Sequence, residues 1–309
     1  MYSEKNLTIE IIIPTLNEGN SIGKLIQSIN KIKIPQKISI LVIDGGSNDQ
    51  TIKICQDLNV NVIQQKGRGK GNAMKEAAEI SKSEIIVFID GDDTYSASDL
   101  PKLLLPIIED KADMVVGVRS KKIREKNSIT TFNSLGNTLF NKFINFSMKS
   151  NVQDSLSGYR AIRRDMFNDL ILLSSHFEIE VEMTVESLNK GYRISEVPIS
   201  YFNRKNTETK LNPIGDGIKI GRTLIFIIMN IRPLLFFSLF SLSFFLLAIG
   251  FTSVIFYNRY VLGGVIYTPF AILSAMLFIL GSLCLVLGLI SELIVRSRKR
   301  LEFQISRKT

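Results

Sequence analysis

The sequence predicts an α/β domain with a mostly parallel sheet, followed by a C-terminal hairpin of two transmembrane helices. Over roughly the first 200 residues, short apolar runs alternate with stretches of helical periodicity, as in sheets that helices cover on both faces. From Pro233 onward the chain changes to two long apolar runs, and each exceeds the ~20 residues that span a hydrocarbon core.

Five apolar runs are predicted to form the strands of this sheet. They are Ile9–Pro14, Ile38–Asp44, Val60–Gln64, Glu84–Asp90 and Asp113–Val118. Three of them lead into glycine-rich, acidic loops, which read TLNEGN, DGGSND and DGDDTY. Any one loop could be an ordinary turn, because Asn, Asp and Gly are common in turns. Three such loops together predict a ligand site, since ligands bind beyond the carboxyl ends of parallel strands.

The loop after the fourth of these strands carries three carboxylates, Asp90, Asp92 and Asp93, within four positions. Such a cluster suits a hard divalent cation, because Mg²⁺ takes one or two protein carboxylates and completes its shell with water and substrate phosphates. Gly91 would let the backbone approach those phosphates closely. Asp93 alone has a second interpretation, as the cap of the helix that follows.

The membrane part is predicted to consist of Pro233–Tyr257 and Val265–Val295, joined by a very short connection. Buried core helices are the alternative, but they rarely run this long without charge. Basic residues flank the outer ends of the pair, whereas the connection carries Arg259, so positive-inside reasoning places both chain ends in the cytoplasm. We therefore expect four segments, namely an α/β domain over 1–210, an amphipathic juxtamembrane segment over 211–232, two transmembrane helices over 233–295 and a basic cytoplasmic tail over 296–309.

The formal net charge of +9 does not indicate a nucleic-acid partner. Its last basic group directly follows an apolar run, where a membrane surface is the better partner, and no C2H2 or RNP-like signature accompanies it. Cys55 and Cys284 lie in different segments without a CxxC neighbour, which favours a reducing, cytoplasmic location for the first domain. The sequence leaves the oligomeric state open, with a homo-oligomer as one possibility.

Five motifs occur in a characteristic order along residues 8–225. They read IIIPTLNEGNSIGKLIQSI, VIDGGSNDQT, GRGKGNAM, FIDGDDTY and SGYRAIRRD. In this order and spacing they resemble the family 2 glycosyltransferases, whose GT-A fold is Rossmann-like, and more narrowly the polyprenyl- or dolichyl-phosphate sugar synthases. The resemblance implies a hexosyltransferase that uses a nucleotide-sugar donor, Mg²⁺ or Mn²⁺, and a lipid phosphate acceptor in the bilayer.

The resemblance also implies roles for particular residues. Those that would bind the nucleotide sugar are Pro14, Asn17, Glu18, Asp44, Arg68, Lys70, Asp90, Gly91 and Asp92, with Asp90 and Asp92 also holding the metal. Those that would act in catalysis are Asp92, Asp154, Arg119 and Arg204. Within this group Arg119 would face the acceptor phosphate, Asp154 would lie near the reaction centre, and Arg204 would lie near the diphosphate.

Three departures from the family pattern bear on these roles. The common DDGS is DGGS here, so Gly45 lacks a second carboxylate, and Thr94 stands where relatives often have Gln. The SITTFN stretch lacks an arginine that some relatives carry, so one acceptor contact would be absent or would come from Lys121, Lys122 or Arg124. The GRGKGNAM motif is closer to relatives that use UDP-glucose or UDP-N-acetylglucosamine than to those that use GDP-mannose.

Other functions fit the sequence less well. A processive polysaccharide synthase would carry a QxxRW motif, and this chain contains no Trp. A sugar nucleotidyltransferase would have a basic, glycine-rich signature after the first strand and little use for a membrane hairpin. A GDP-mannose-dependent dolichyl-phosphate mannose synthase, and a membrane-anchored glycosyltransferase with a non-lipid acceptor, remain as alternatives.

Overall fold

A computed structural model describes residues 7–124, 138, 141–142, 144–202, 225, 229, 232–263 and 268–306, with the backbone alone for 120–124, 299–300 and 302–306. The chain divides into two compact units, Met1–Gly217 and Ile218–Thr309. The predicted juxtamembrane segment 211–232 lies outside the described residues except at 225, 229 and 232. Its amphipathic character therefore stays a prediction.

The first unit contains seven described strands. They are β1 (Thr8–Thr15), β2 (Lys37–Asp44), β3 (Asn61–Gln64), β4 (Ile85–Phe88), β5 (Met114–Arg124), β6 (Arg160–Arg163) and β7 (Ile194–Tyr201). They form one sheet in the order β3-β2-β1-β4-β6-β5-β7. Every neighbouring pair is parallel except the two that involve β6, which runs antiparallel to β4 and β5. The mostly parallel sheet predicted from the sequence is confirmed.

Six helices of this unit are described with defined bounds, beside a 3₁₀ turn at Ala97–Asp99. They are α1 (Ile22–Asn30), α2 (Thr51–Asp57), α3 (Lys70–Ile80), α4 (Leu100–Ile108), α5 (Arg164–Asp169) and α6 (Ile179–Asn189). Apolar side chains from both faces of the sheet are buried against them, which explains the near-continuous apolar character of the central strands.

Alternation along β1 shows how the sheet separates two cores. Ile9, Ile11 and Ile13 point to one face and pack in the cluster that includes Leu25 of α1. Ile12 points to the other face and packs in the cluster that includes Met74 of α3. Because successive side chains of a strand point to opposite faces, an unbroken run of isoleucine serves both cores. This two-sided core holds the strand ends, and the loops that follow them, in fixed places.

The second unit is a pair of long apolar helices, α7 (Pro233–Tyr260) and α8 (Thr268–Ser306). By length and composition both are able to cross a membrane, because Pro233–Tyr260 and Thr268–Arg298 each contain an 18-residue stretch with a mean hydropathy of 2.4 and 2.6, respectively. Most of their side chains are exposed within the unit, as expected for surfaces that lipid covers. α8 continues past the predicted end of the span at Val295, because no proline or glycine follows there to end the helix.

Small and hydroxyl side chains fasten the two helices to each other. The hydroxyl groups of Thr252 and Ser274 lie 2.6 Å apart, and that of Ser274 also donates to the carbonyl of Ala248 (3.1 Å). Further along, Gly281 faces the ring of Phe245 so closely that an added Cβ would lie 2.8 Å from it. Small residues that admit close approach, together with interhelical hydrogen bonds, are what hold helices together in lipid.

Candidate functional site

The loops after β1, β2 and β4 meet at one edge of the sheet, because these three parallel strands are neighbours. Asn17 ties the first loop to the second: its backbone N–H donates to the hydroxyl of Ser47 (2.8 Å), and its side-chain oxygen accepts the N–H of Asn48 (2.9 Å). Ser21 ties the first loop to the third by donating its hydroxyl hydrogen to the carbonyl of Gly91 (2.7 Å). These contacts form the single rim that the three loops predict.

Asp44 lies at this rim but is fully buried. One carboxylate oxygen accepts the backbone N–H groups of Gly46 (2.9 Å) and Ser47 (2.7 Å), and the other accepts the hydroxyls of Ser47 (2.5 Å) and Thr15 (3.1 Å). The carboxylate therefore holds the DGGS turn in shape. Its contact to a base or ribose stays a prediction, and such a contact would have to share oxygens that already accept four hydrogen bonds.

Four other predicted donor-side residues surround this turn. Pro14 is half-buried in β1, and Arg68 is exposed on the loop before α3. The backbone N–H of Glu18 donates to the hydroxyl of Thr51 (2.9 Å), which holds the first loop against α2.

Gly91 lies so close to the first loop that an added Cβ would be 3.0 Å from the Thr15 methyl group. The glycine in the DGD sequence thus lets the two segments pack closely, and its contact with a ligand stays a prediction.

Asp90 and Asp92 follow β4 at the rim. Asp92 Oδ1 accepts the backbone N–H (3.2 Å) and the hydroxyl (2.6 Å) of Thr94, which closes a tight turn. Asp93 has a φ of 58°, a left-handed conformation that Asp adopts more readily than most residues. Among the described residues, no three His, Cys, Asp or Glu side chains group into a metal cage. Two carboxylates at a strand end are a donor set that fits Mg²⁺ or Mn²⁺ when a substrate supplies phosphate oxygens.

Lys70 lies between two carboxylates. Its amine is 2.5 Å from Asp90 Oδ1 and 2.6 Å from Glu180 Oε1, and the side chains of Lys70 and Glu180 are only 10% and 3% exposed. Burial opposes the charge of the amine, but the two carboxylates outweigh burial and raise the pKa of Lys70 above its ordinary value. The resemblance implied that Lys70 approaches the donor, and the structure places it against the first carboxylate of the DGD turn.

Glu180 was not among the residues singled out from the sequence. It lies in the first turn of α6 and shares a buried face with Met183, Thr184 and Ser187, which follow it at helical spacing. An acid among the mostly apolar residues of a helix that is buried on several sides is the signal that could have identified it. Its place beside Lys70 makes it part of the same ion-pair cluster.

The glycines of the GRGKG motif allow Lys70 to reach this position. Gly69 has a φ of 92°, and an added Cβ there would lie 2.4 Å from the carbonyl oxygen of Ser175. An added Cβ at Gly71 would lie 2.6 Å from the carbonyl oxygen of Ser174. The motif therefore brings two backbone segments into contact, and Lys70 between the glycines extends into the site.

Gly69→Ala is expected to destabilise the fold more than Gly191→Ala. Both glycines have a positive φ, which disfavours alanine, but nothing lies within 4 Å of an added Cβ at Gly191. The difference in unfolding temperature between the two variants, measured by circular dichroism in detergent, reports the clash with Ser175 together with the ψ of 153° at Gly69, which only glycine combines readily with a positive φ. Equal unfolding temperatures would show that the segment at Ser175 moves away without cost.

Arg119 and Asp154 form a second ion pair, which has two points of contact. Arg119 Nε and Nη2 each donate to one carboxylate oxygen at 2.8 Å, and the backbone N–H of Arg119 also donates to Oδ2 (3.2 Å). The ring of Tyr201 lies against the guanidinium, 5.5 Å from its carbon. Burial lowers the pKa of Arg119, but Tyr95 and Asp154 raise it, and the net effect is upward.

Some predicted residues fall outside this description. Arg204, expected near the diphosphate, lies outside the described residues, as do the side chains of Lys121, Lys122 and Arg124. Their roles stay predictions. The described site thus consists of the loop rim, the Lys70 cluster and the Arg119–Asp154 pair.

Gly158 shows how these parts meet. An added Cβ at this position would lie 2.8 Å from both Asp90 Oδ2 and the Lys70 amine. Gly158 and Asp154 belong to one short loop, Gln153–Gly158, which precedes β6. One loop therefore contacts the carboxylate turn at one end and Arg119 at the other.

Comparisons with known proteins agree with this arrangement. The model of the family described as "Glycosyl transferase family 2" matches residues 10–171. "Glycosyltransferase AglJ" of Haloferax volcanii is 33% identical over 92% of this chain and 93% of its own length. "Dolichyl-phosphate hexose transferase" of the same organism is 32% identical over 72% of this chain and 95% of its own length.

A more distant relative and a solved structure extend the comparison. "UDP-N-acetylglucosamine--dolichyl-phosphate N-acetylglucosaminyltransferase" of Methanococcus voltae is 27% identical over 72% of this chain and 96% of its own length. Glucosyl-3-phosphoglycerate synthase of Mycobacterium tuberculosis, solved with Mn²⁺, UDP-glucose and phosphoglyceric acid, has the same fold, with a TM-score of 0.59 and 20% identity over 72% of this chain and 79% of that chain. With a family match over half of its length and relatives that align along nearly all of theirs, this chain belongs to glycosyl transferase family 2 and is a glycosyltransferase.

Proposed function

We propose that this glycosyltransferase transfers a sugar from a nucleotide sugar to a polyprenyl or dolichyl monophosphate, giving a lipid-linked sugar for glycan or glycoprotein assembly. The observation that carries the proposal is the Asp90–Gly91–Asp92 turn at the rim where three strand-end loops meet. The two apolar helices support membrane association, and two relatives are named as dolichyl-phosphate transferases.

Asp90 and Asp92 would hold Mg²⁺ or Mn²⁺, which, when bound, neutralises the diphosphate as it leaves. The turn around them is suited to this role because Thr94 fixes Asp92 and leaves its charge in place. Lys70 adds a positive charge beside Asp90, and Gly158 lets its loop pack directly against both groups. Pro14, Asn17, Glu18, Asp44 and Arg68 would complete the nucleotide pocket.

Arg119 would orient the acceptor phosphate. A phosphate monoester carries about −1.5 to −2 charges near neutral pH, so the nucleophile needs positioning more than it needs a strong base. Asp154 fixes the guanidinium through two hydrogen bonds, and a guanidinium matches phosphate well because its donors are planar and paired. One in-line displacement at the anomeric carbon would invert its configuration. Arg204 would stabilise the diphosphate.

For the donor we favour UDP-N-acetylglucosamine or UDP-glucose. The GRGKGNAM motif supports this preference, as does the occurrence of UDP sugars in the names of one relative and of the solved structure. GDP-mannose is the alternative donor. A soluble acceptor is the alternative to the lipid, because the solved structure binds phosphoglyceric acid.

The catalytic unit and both chain ends would lie in the cytoplasm. Arg222 and Arg232 precede the first apolar helix, and Arg296 and Arg298 belong to the basic group after the second apolar run. The chain would then divide into four segments, namely the catalytic domain over 1–210, the juxtamembrane segment over 211–232, the membrane-spanning helices over 233–295 and the basic tail over 296–309.

The test is a transfer assay with the full chain in detergent and Mn²⁺ or Mg²⁺. Labelled UDP-N-acetylglucosamine, UDP-glucose and GDP-mannose are each offered with polyprenyl monophosphate, with 3-phosphoglycerate, or with neither. We expect label from one UDP sugar to enter the organic phase only with the lipid, to disappear with EDTA, and to give the inverted anomer by NMR. Label in a water-soluble product would contradict the lipid acceptor, and label from GDP-mannose alone would contradict the preferred donor.

A further inference from the structure

The loop Gln153–Gly158 has no regular secondary structure, yet most of its residues are buried. Buried backbone N–H and carbonyl groups need hydrogen-bond partners, and a loop cannot supply them from its own backbone as a helix does. Here the partners are side chains from other parts of the fold. The shape of the loop therefore depends on a few side chains outside it.

Glu196, in β7, holds the first end of the loop. Its two carboxylate oxygens accept the backbone N–H of Gln153 at 2.8 and 3.0 Å, and Oε1 also accepts that of Asp154 at 3.1 Å. The other end is held by Arg160, which donates to the carbonyls of Ser155 (2.6 Å) and Ser157 (2.7 Å). Glu196 thus holds the backbone N–H of Asp154 itself. Asn141 holds the residues on either side, because it donates to the carbonyl of Gln153 and accepts the N–H of Ser155.

We infer that Glu196 is a positioning residue for the acceptor phosphate. It fixes the backbone of Asp154, and the Asp154 carboxylate in turn fixes the guanidinium of Arg119 through two hydrogen bonds. This inference rests on the proposed function, because it takes Arg119 as the group that faces the acceptor. Glu196 acts through these two residues and needs no contact with substrate.

Stability alone does not explain a carboxylate at this position. Burial raises the pKa of Glu196, and the neighbouring Asp154 adds to this effect, although the hydrogen bonds from Gln153 and Asp154 oppose it. A carboxyl whose pKa is higher in the folded protein than in the unfolded chain favours folding at low pH and loses that contribution once it ionises. At neutral pH the charge therefore costs folding free energy. Glutamine would remove the charge but would place an NH2 group where Oε2 now accepts the N–H of Gln153.

The test compares Glu196→Gln with Glu84→Gln in the full chain. Glu84 is a matched control, because its carboxylate also accepts a backbone N–H, that of Thr8 (2.7 Å), but lies at the amino-terminal end of β4. Its pKa is lowered by these hydrogen bonds, so its charge favours folding. We expect Glu196→Gln to raise KM for polyprenyl monophosphate, and so to lower kcat/KM, by about tenfold, because the new NH2 group displaces the backbone N–H of Gln153 next to Asp154. Donor KM should stay within about twofold, and Tm within about 4 °C of the parent. Glu84→Gln should lower Tm slightly and leave both KM values unchanged.

Arg119→Lys separates failure of this inference from failure of the proposed function. Lysine keeps the charge but cannot form the two-point contact with Asp154. If Arg119→Lys leaves kcat/KM for the lipid phosphate unchanged, the acceptor role of Arg119 is wrong and the inference falls with it. If Arg119→Lys lowers that value and Glu196→Gln does not, the inference alone is wrong.

The double variant Arg119→Lys with Glu196→Gln adds a second criterion. Residues that act in one chain of contacts have non-additive effects, so the double variant should be little worse than Arg119→Lys alone. Additive losses would overturn the inference. If Glu196→Gln does not fold, Glu196→Asp, which keeps the charge and shortens the side chain, is measured in the same way and is expected to raise acceptor KM.

Discussion

Asp92→Asn should reduce sugar transfer about 10³-fold and leave the protein folded. Asparagine keeps an Oδ1 that can accept both hydrogen bonds from Thr94, so the turn is preserved. What it removes is the negative charge that would bind the metal, and charge stabilisation by a metal is worth several kcal/mol in the transition state. The measurement is the rate of transfer to the lipid phosphate at saturating donor, with Tm and gel filtration as checks of the fold.

Asp93→Asn is the matched control for this experiment. It removes the adjacent charge, and its left-handed φ of 58° suits asparagine as well as aspartate. We expect transfer within about threefold of the parent, since Asp93 lies outside the Asp90–Asp92 pair. Full activity of Asp92→Asn, or equal loss in both variants, would contradict the assignment of Asp92 as a metal ligand.

The carboxyl edge of the sheet could be predicted from the sequence because it depends on local patterns. Apolar runs mark buried parallel strands, and glycine-rich acidic loops mark the ends where ligands bind. The neighbouring order β2-β1-β4 then brings the three loops together. The antiparallel β6 was not predicted, because the four residues Arg160–Arg163 are too short and too basic to stand out as a strand.

The partners of the site residues could not be predicted, because they come from distant parts of the chain. Glu180 is 110 positions from Lys70, and Glu196 is 42 positions from Asp154, as the sequence numbering shows. Asp44 shows a second limit, because most of its partners are near it in the sequence and were still not predicted. The motif predicts a ligand contact, whereas the structure shows a carboxylate engaged in four hydrogen bonds within its own turn and with Thr15. The motifs therefore identify residues of the site, whereas the three-dimensional structure determines which groups those residues contact.

Lys70→Met should lower the free energy of unfolding by about 3–5 kcal/mol. The substitution removes the amine that lies between Asp90 and Glu180, and Glu180 is 3% exposed, so a buried carboxylate loses its counter-charge. The expected fall in Tm is about 10 °C. Lys111→Met is the matched control, because Lys111 pairs with Glu109 at 2.7 Å but is 71% exposed, and an exposed ion pair contributes about 1 kcal/mol or less.

The pH dependence of this loss has a definite sign. The pKa of Lys70 is raised in the folded protein, so its contribution is complete below the ordinary lysine pKa of about 10.4 and declines as pH rises through the folded value. The Tm difference between parent and Lys70→Met should therefore be constant around neutral pH and narrow in alkali. A difference that grows from neutral pH into alkali would contradict the ion-pair explanation.

Two further comparisons connect this ion pair to the metal. Adding Glu180→Gln to Lys70→Met removes the second buried charge and should restore part of the lost stability.

Mn²⁺ should raise the Tm of Lys70→Met more than that of the parent, because the oxygen of Asp90 that pairs with Lys70 becomes available and ligands that bind the folded state stabilise it. If Mn²⁺ raises both Tm values equally, Asp90 is not a metal ligand. Lys70 would then serve only to neutralise Asp90 and Glu180, and Asp92 would be the carboxylate that remains to hold the metal.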